Sequence, residues 1–212
     1  MRNQLRGVFL AFMAAMMCAC ADPSTNKPKA TTGTAAPEAT AAKSGETQVL
    51  TITPENSKVE FDASKVTKTH HGSFKQFSGK IELAKNVTDS KVSIEIETGS
   101  VQADDPDLTA HLKTPDFFDV AKMPKASFVS TKVEPAAGGA PNAYNVTGNL
   151  ELHGVKKSIS FPATIQENPD SVAVDAEFAI NRKDFGIVYA GKADDLIRDN
   201  VVLRLNLRVP RK

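Results

Sequence analysis

From residue 49 onward, apolar and polar residues alternate along most of this chain, the pattern of strands that bury one face. The alternation begins in VLTIT (49–53) and KVEFDA (58–63), continues through SFKQFSGKIELA (73–84) and KVSIEIET (91–98), and resumes in ASFVSTKVE (126–134). AYNVTGNLEL (143–152), KKSISFPATIQ (156–166), SVAVDAEFAI (171–180) and NVVLRLNLRV (200–209) follow in quick succession. In the last of these Val201, Leu203, Leu205, Leu207 and Val209 share one face, with Arg204, Asn206 and Arg208 opposite. Gly, Asn, Asp and Pro gather at the junctions KNVTDS (85–90), AAGGAPN (136–142), HGV (153–155) and ENPD (167–170), where tight reversals need them. Connections this short make neighbouring strands antiparallel. The pattern predicts an all-β domain of eight main strands, closed into a barrel that removes its own edges; a two-sheet sandwich is the alternative.

One stretch breaks the period. DDPDLTAHLKTPDFFDVAKMP (104–124) carries two helix starts, Asp104 or Asp105 before Pro106, and Thr114 before Pro115 and Asp116. A short helical insertion is expected near residues 105–119. Phe117 and Phe118 on such a turn point about 100° apart, which suits a plug at one end of a barrel, one ring inward and the other under the loop.

The N-terminal part is of a different kind. Residues 1–20 have a basic start (Arg2, Arg6), an apolar run GVFLAFMAAMM and then CACAD, the pattern of an export signal and too short for a membrane span. Met17-Cys18-Ala19-Cys20 resembles the lipobox of bacterial lipoproteins, with Cys20 the residue that is acylated and becomes the mature N-terminus. Ordinary signal-peptidase cleavage near Ala19 or Ala21 is the alternative. Residues 21–47 are rich in Ala, Thr, Pro and Lys without one large apolar side chain, and read as a flexible tether. No cysteine follows Cys20, so the domain at 48–212 must hold together without a disulfide. The 26 Lys and Arg nearly cancel the 25 Asp and Glu, which leaves no broad basic field for nucleic acid.

The segments HLKTPDFFDVAKMPKASF (111–128), GNLELHGVKKSISF (148–161) and FAINRKDFGI (178–187) resemble the three most recognisable segments of the YceI family, and SKVTKTHHGSFKQFSGKI (64–81) resembles its opening segment. The resemblance runs in order over essentially all of residues 48–212. It implies an extended, lipocalin-like antiparallel barrel around a long apolar pocket that holds an isoprenoid or fatty-chain amphiphile. Members of the family are often soluble exported proteins, so a lipid anchor would be a variation on it.

The chain has 11 Phe and no Trp. Phe61, Phe74, Phe77, Phe117, Phe118, Phe128, Phe161, Phe178 and Phe185, with Ile94 and Ile96, are candidates for pocket lining, although periodicity does not separate lining from ordinary core. His70, His71, His111 and His153 lack HxH or HxxxH spacing and a Cys partner, and read as surface or loop histidines rather than metal ligands. His111 on its short helix and His70 in a loop are candidates to hydrogen-bond a ligand headgroup at the barrel mouth. Arg182, Asp184 and Asp194 read as a solvated charged loop, Arg182 pairing with Asp184 at a strand end. Neither a nucleophile motif nor a phosphate-cradling Gly-rich loop occurs. The expectation is therefore a protein without metal or cofactor that binds, sequesters or hands on a long-chain amphiphile. Its expected place is the cell envelope, anchored through Cys20 to the outer membrane and facing the periplasm. An enzyme modifying an isoprenoid lipid and a non-binding structural or adhesive module are the rival readings.

Overall fold

The computed structural model describes residues 22–37, 47–138 and 140–211. The chain forms β1 (Thr31–Thr34), β2 (Gln48–Ile52), β3 (Ser57–Ser64), β4 (Thr69–Phe74), β5 (Phe77–Leu83), β6 (Lys91–Glu97) and β7 (Val101–Ala103). After the helix α1 (Pro106–Leu112) come β8 (Lys125–Pro135), β9 (Ala143–Leu152), β10 (Val155–Glu167) and β11 (Ser171–Asn181). A small hairpin of β12 (Gly191–Lys192) and β13 (Asp195–Leu196) then precedes β14 (Asn200–Pro210).

Twelve of these strands join one antiparallel sheet that curls into a half-barrel, ordered β2-β5-β6-β8-β9-β10-β11-β14-β3-β4-β7 with β1 beside β10. The expected count of eight is not the count observed. Two long runs are each broken once: β4 and β5 are separated only by Lys75 and Gln76, and β6 and β7 by a single 3-10 turn at Thr98–Ser100. Each break changes the neighbour, so that Phe74 pairs with Val101 in β7 while Phe77 pairs with Ile96 in β6. The alternation runs through the breaks and does not mark them.

Turn chemistry accounts for the register. His153 and Gly154 join β9 to β10 with φ of 51° and 72°, the left-handed pair of a two-residue hairpin turn. The side chain of Asp105 accepts from the backbone N–H of Asp107 at 2.9 Å and of Leu108 at 3.2 Å, and Pro106 takes the first turn, so α1 starts where the sequence predicts. The second expected helix does not form. The Thr114 carbonyl accepts from Phe117 and Asp119 in successive turns, and Asp119 has φ 44°.

Residues 22–37 are not a free tether. β10 and β11 pair only from Thr164 to Glu167, then splay, and residues 28–34 lie in the split. Pro28 and Ala30 bond the backbone of Ala179 in β11, both at 2.8 Å, and Thr31–Thr34 pair with Ser160–Lys157 of β10. The buried Asn149 of β9 grips Ala36 by both main-chain groups, at 2.9 and 2.7 Å. Lys27 reaches Glu177 at 2.7 Å. The signal pattern with Cys20 and the stretch 38–46 lie outside the described residues.

On the outward face of β3, Asp62 is only 2 % exposed. Arg204 meets it with a two-pronged contact, Nη1 to Oδ1 at 2.9 Å, and His71 Nδ1 lies 2.5 Å from Oδ1. Burial pushes the Asp62 carboxyl up, but hydrogen bonds from Arg204 and His71 together with their charges outweigh it and hold the group below its ordinary value. A carboxyl depressed on folding stabilises above its unfolded pKa and loses that contribution as pH falls. Asp62→Asn is expected to cost about 2 kcal/mol at pH 7. Denaturant unfolding at pH 7 and near pH 3 checks this, the gap between variant and wild type closing below about pH 4.

Candidate ligand pocket

The inner face of the curled sheet is built by the alternation itself: Val59, Phe61 and Ala63 of β3 and Val201, Leu203 and Leu205 of β14 all turn inward. They do not fill the interior. A cavity of about 150 Å³ lies under α1 and the turns after it, and a second of about 60 Å³ lies toward the opposite end, by Leu83, Val87 and Val172. Ile94, Phe128, Phe161 and Leu205 line both, so the two chambers meet at a waist formed by these four side chains. Phe161 stacks on Phe178 at 4.0 Å between ring centroids and meets Phe128 at 5.5 Å, which makes the waist aromatic on one side.

Two glycines let rings lie flat against the wall. A Cβ on Gly72 would stand 2.2 Å from the Phe61 ring, and one on Gly148 would meet the Phe128 ring and the Val129 carbonyl oxygen, each at 2.5 Å. Any larger residue at either place drives a ring toward the cavity.

The candidates from the sequence fall into three groups. Phe61, Phe74, Ile96, Phe117, Phe118 and Phe178 line the larger chamber, and Ile94, Phe128 and Phe161 line both. Phe117 and Phe118 both line the chamber, rather than one ring facing inward and the other lying under the loop; Phe118 packs on Phe74 at 5.6 Å, and Phe117 on Tyr189 at 5.6 Å. Phe77 and Phe185 are buried in the core clusters and line neither chamber. His70 sits in β4 rather than in a loop, with Nδ1 2.8 Å from Asp104 Oδ1. His111 lies edge-on to Phe117 and Tyr189, and its Nε2 is 2.8 Å from Asp116. Neither histidine lines a chamber.

Sequence reasoning misplaced Arg182. It is buried, its stem lines the larger chamber, and its guanidinium donates to the carbonyls of Ile187 at 2.7 Å, Arg198 at 3.1 Å and Ile197 at 3.3 Å. Asp199 lies 3.7 Å away, whereas Asp184 accepts from Thr32. Burial pushes the Arg182 guanidinium below its ordinary pKa, and the charge of Asp199 works against that. Ile159, Leu150, Leu152 and Ile180 were also absent from the candidates, although their inward face follows from the same alternation. Apart from Arg182 the larger chamber is lined by apolar residues alone. Such a surface offers hydrocarbon contact and no polar partner.

The family model of the YceI-like domain matches residues 50–209. The chain belongs to the YceI-like family. A UPF0312 protein of Pseudomonas putida is 38 % identical over 125 residues, 55 % of this chain and 63 % of that protein, so the match spans less than two thirds of the relative. The crystal structure of BcnA from Burkholderia cenocepacia superposes with a TM-score of 0.66 at 26 % identity, covering 74 % of this chain and 98 % of BcnA. A polyisoprenoid binding domain from Saccharophagus degradans, implicated in plant cell wall breakdown, gives a TM-score of 0.61 at 17 % identity, over 79 % of this chain and all of that one, and so shares the fold.

The two glycines separate in their expected cost. In Gly72→Ala only the Phe61 ring has to move, into open space, for about 1 kcal/mol, while Gly148→Ala also meets a fixed carbonyl and costs about 3 kcal/mol. Thermal unfolding of the two variants gives the order directly.

Proposed function

We propose that this YceI-like chain is a carrier or reservoir for a long-chain amphiphile, a polyisoprenoid or fatty-chain lipid, whose hydrocarbon occupies the two joined chambers. The observation that carries the reading is the apolar lining of two adjoining cavities that the side chains leave unfilled. An empty apolar cavity lowers stability roughly in proportion to its volume, and a hydrocarbon chain restores the lost contacts. The polyisoprenoid-binding description of the Saccharophagus degradans neighbour supports the same class of ligand. On this reading the half-barrel works as a lipocalin-like barrel, with β4 and β5, and β6 and β7, each acting as one bent strand. The domain is 48–212. No residue takes a catalytic role, and neither a metal nor a cofactor is needed.

The reading extends to location. Export through residues 1–20 and acylation of Cys20 would hold the protein on the periplasmic face of the outer membrane. Acyl chains contribute about 0.8 kcal/mol per buried CH₂, so two or more anchor firmly. Cys20→Ala is expected to move the protein from the membrane to the soluble periplasmic fraction. An unacylated mass for wild-type protein would remove the anchor from the proposal.

Native mass spectrometry of the purified protein before and after organic extraction tests the binding function. A hydrophobic adduct is expected, lost on extraction, with a fall in melting temperature that a polyprenyl or long-chain fatty amphiphile restores and short polar molecules do not. Mass action makes the shift worth about 2.7 kcal/mol at a free ligand concentration a hundred times the dissociation constant. Protein that purifies empty, melts identically after extraction and ignores every amphiphile would leave the scaffold reading standing.

A further inference from the structure

The end of the sheet that holds the larger chamber has an apolar rim. Val188, Leu196 and Val66 are 64, 49 and 46 % exposed, and large hydrophobic side chains this exposed are few among the described residues. They share one end of the molecule. The Val66 N–H donates to the Leu196 carbonyl at 3.2 Å, and the Arg182 guanidinium bonds the carbonyls of Ile187 and Ile197, the residues next to Val188 and Leu196. Ile187 and Ile197 themselves line the chamber, so the rim is the outer side of the chamber's own wall. Lys68, Lys192 and Asp194 are exposed on the same loops, which gives the rim both signs of charge and no strong field.

The docked N-terminal segment ends at this rim. Asp22 Oδ2 lies 3.6 Å from Arg198 Nη1, and Arg198 follows Ile197 directly. Asp22 is held locally, its Oδ1 accepting from the backbone N–H and the hydroxyl of the buried Ser24 at 2.9 and 2.7 Å. Cys20 is two residues before Asp22, so its Cα lies within about 7.6 Å of Asp22 Cα, at 3.8 Å per trans peptide. An acyl group on Cys20 therefore leaves the protein beside the rim, without the long spacer that residues 21–47 would supply if they were free.

We propose that the rim of Val66, Val188 and Leu196 is a membrane-docking surface, which seats the larger chamber's end on the bilayer that receives the Cys20 acyl chains. The inference rests on the anchored-carrier reading above. Its physical content is that the anchor's exit and the exposed apolar side chains coincide. Three aliphatic side chains at the headgroup boundary add area to the anchor, and the bilayer removes them from water. Lipid passing between membrane and chamber then crosses only the rim and the Phe117 and Phe118 rings.

The chain has no tryptophan, so single substitutions report position. Full-length Leu196→Trp, Val188→Trp and Val49→Trp proteins are purified from membranes and reconstituted into phosphatidylethanolamine and phosphatidylglycerol vesicles containing chain-brominated phosphatidylcholine. Val49, 57 % exposed on β2 beside Glu82, stands at the opposite end and serves as the control. Bromine quenching is expected to be at least about threefold stronger at Leu196→Trp and Val188→Trp than at Val49→Trp, as for groups buried to the acyl boundary. Intact mass of the same samples reads the anchor separately. Acylated protein whose three tryptophans are quenched alike, or not at all, overturns the docking surface and leaves the anchor standing. Protein without acyl groups on Cys20 removes the anchor and this orientation together.

Discussion

A curled sheet whose strands alternate strictly has one apolar face, and curling turns that face against itself. The rest of the molecule follows from how far the inward side chains reach across the gap. The rings of Phe61 and Phe128 do not cross it, because Gly72 and Gly148 let them recline on the wall. Rings that recline leave the middle of the interior open. A solid core would need the same rings to stand inward, which a Cβ at those glycines would force. The interior thus combines an apolar lining with unfilled volume, a combination that suits a flexible hydrocarbon chain better than a rigid polar solute.

Arg182 organises the end of the molecule that holds the larger chamber. A single guanidinium gathers the carbonyls of Ile187, Ile197 and Arg198, three groups from two loops. Burying a charge is costly, and here the cost is offset by three carbonyl dipoles and the carboxylate of Asp199. A lysine could not replace it, because the loops are held by the fork of donors rather than by the charge.

The strands, their inward faces, the β9–β10 turn and the start of α1 were legible in the sequence because each rests on local chemistry: period-two alternation, His153-Gly154, Asp105-Pro106. The docking of residues 22–37 was not. The side chains of Thr31–Thr34 all remain exposed, and what holds the strand is main-chain bonding into a split that exists only in the folded sheet. Composition reads side chains and is blind to such a seat. Arg182 was missed for a related reason, since nothing in FAINRKDFGI announces that three distant carbonyls converge on it. Among the aromatic candidates, Phe77 alternates as regularly as Phe61 and Phe128, while Phe185 sits in a 3-10 turn after β11; whether an inward ring meets other side chains or a void depends on what stands opposite, across the sheet.

The position of β1 also orders events in time. The segment that leaves the ribosome first is seated between two of the last strands to arrive, Lys27 meeting a glutamate 150 residues further on. Closing a loop of that length contributes nothing until β10 and β11 stand in place, so the seat cannot template the fold and is filled only when the sheet is complete. Until then the wall keeps an unpaired slot, with the main chain of Ala179 and of Lys157–Ser160 lacking its final partner. The maturing protein therefore passes through a stage in which its own N-terminus competes with any other extended chain for that slot, and the covalent link, by raising the local concentration of that segment, decides the contest in favour of self.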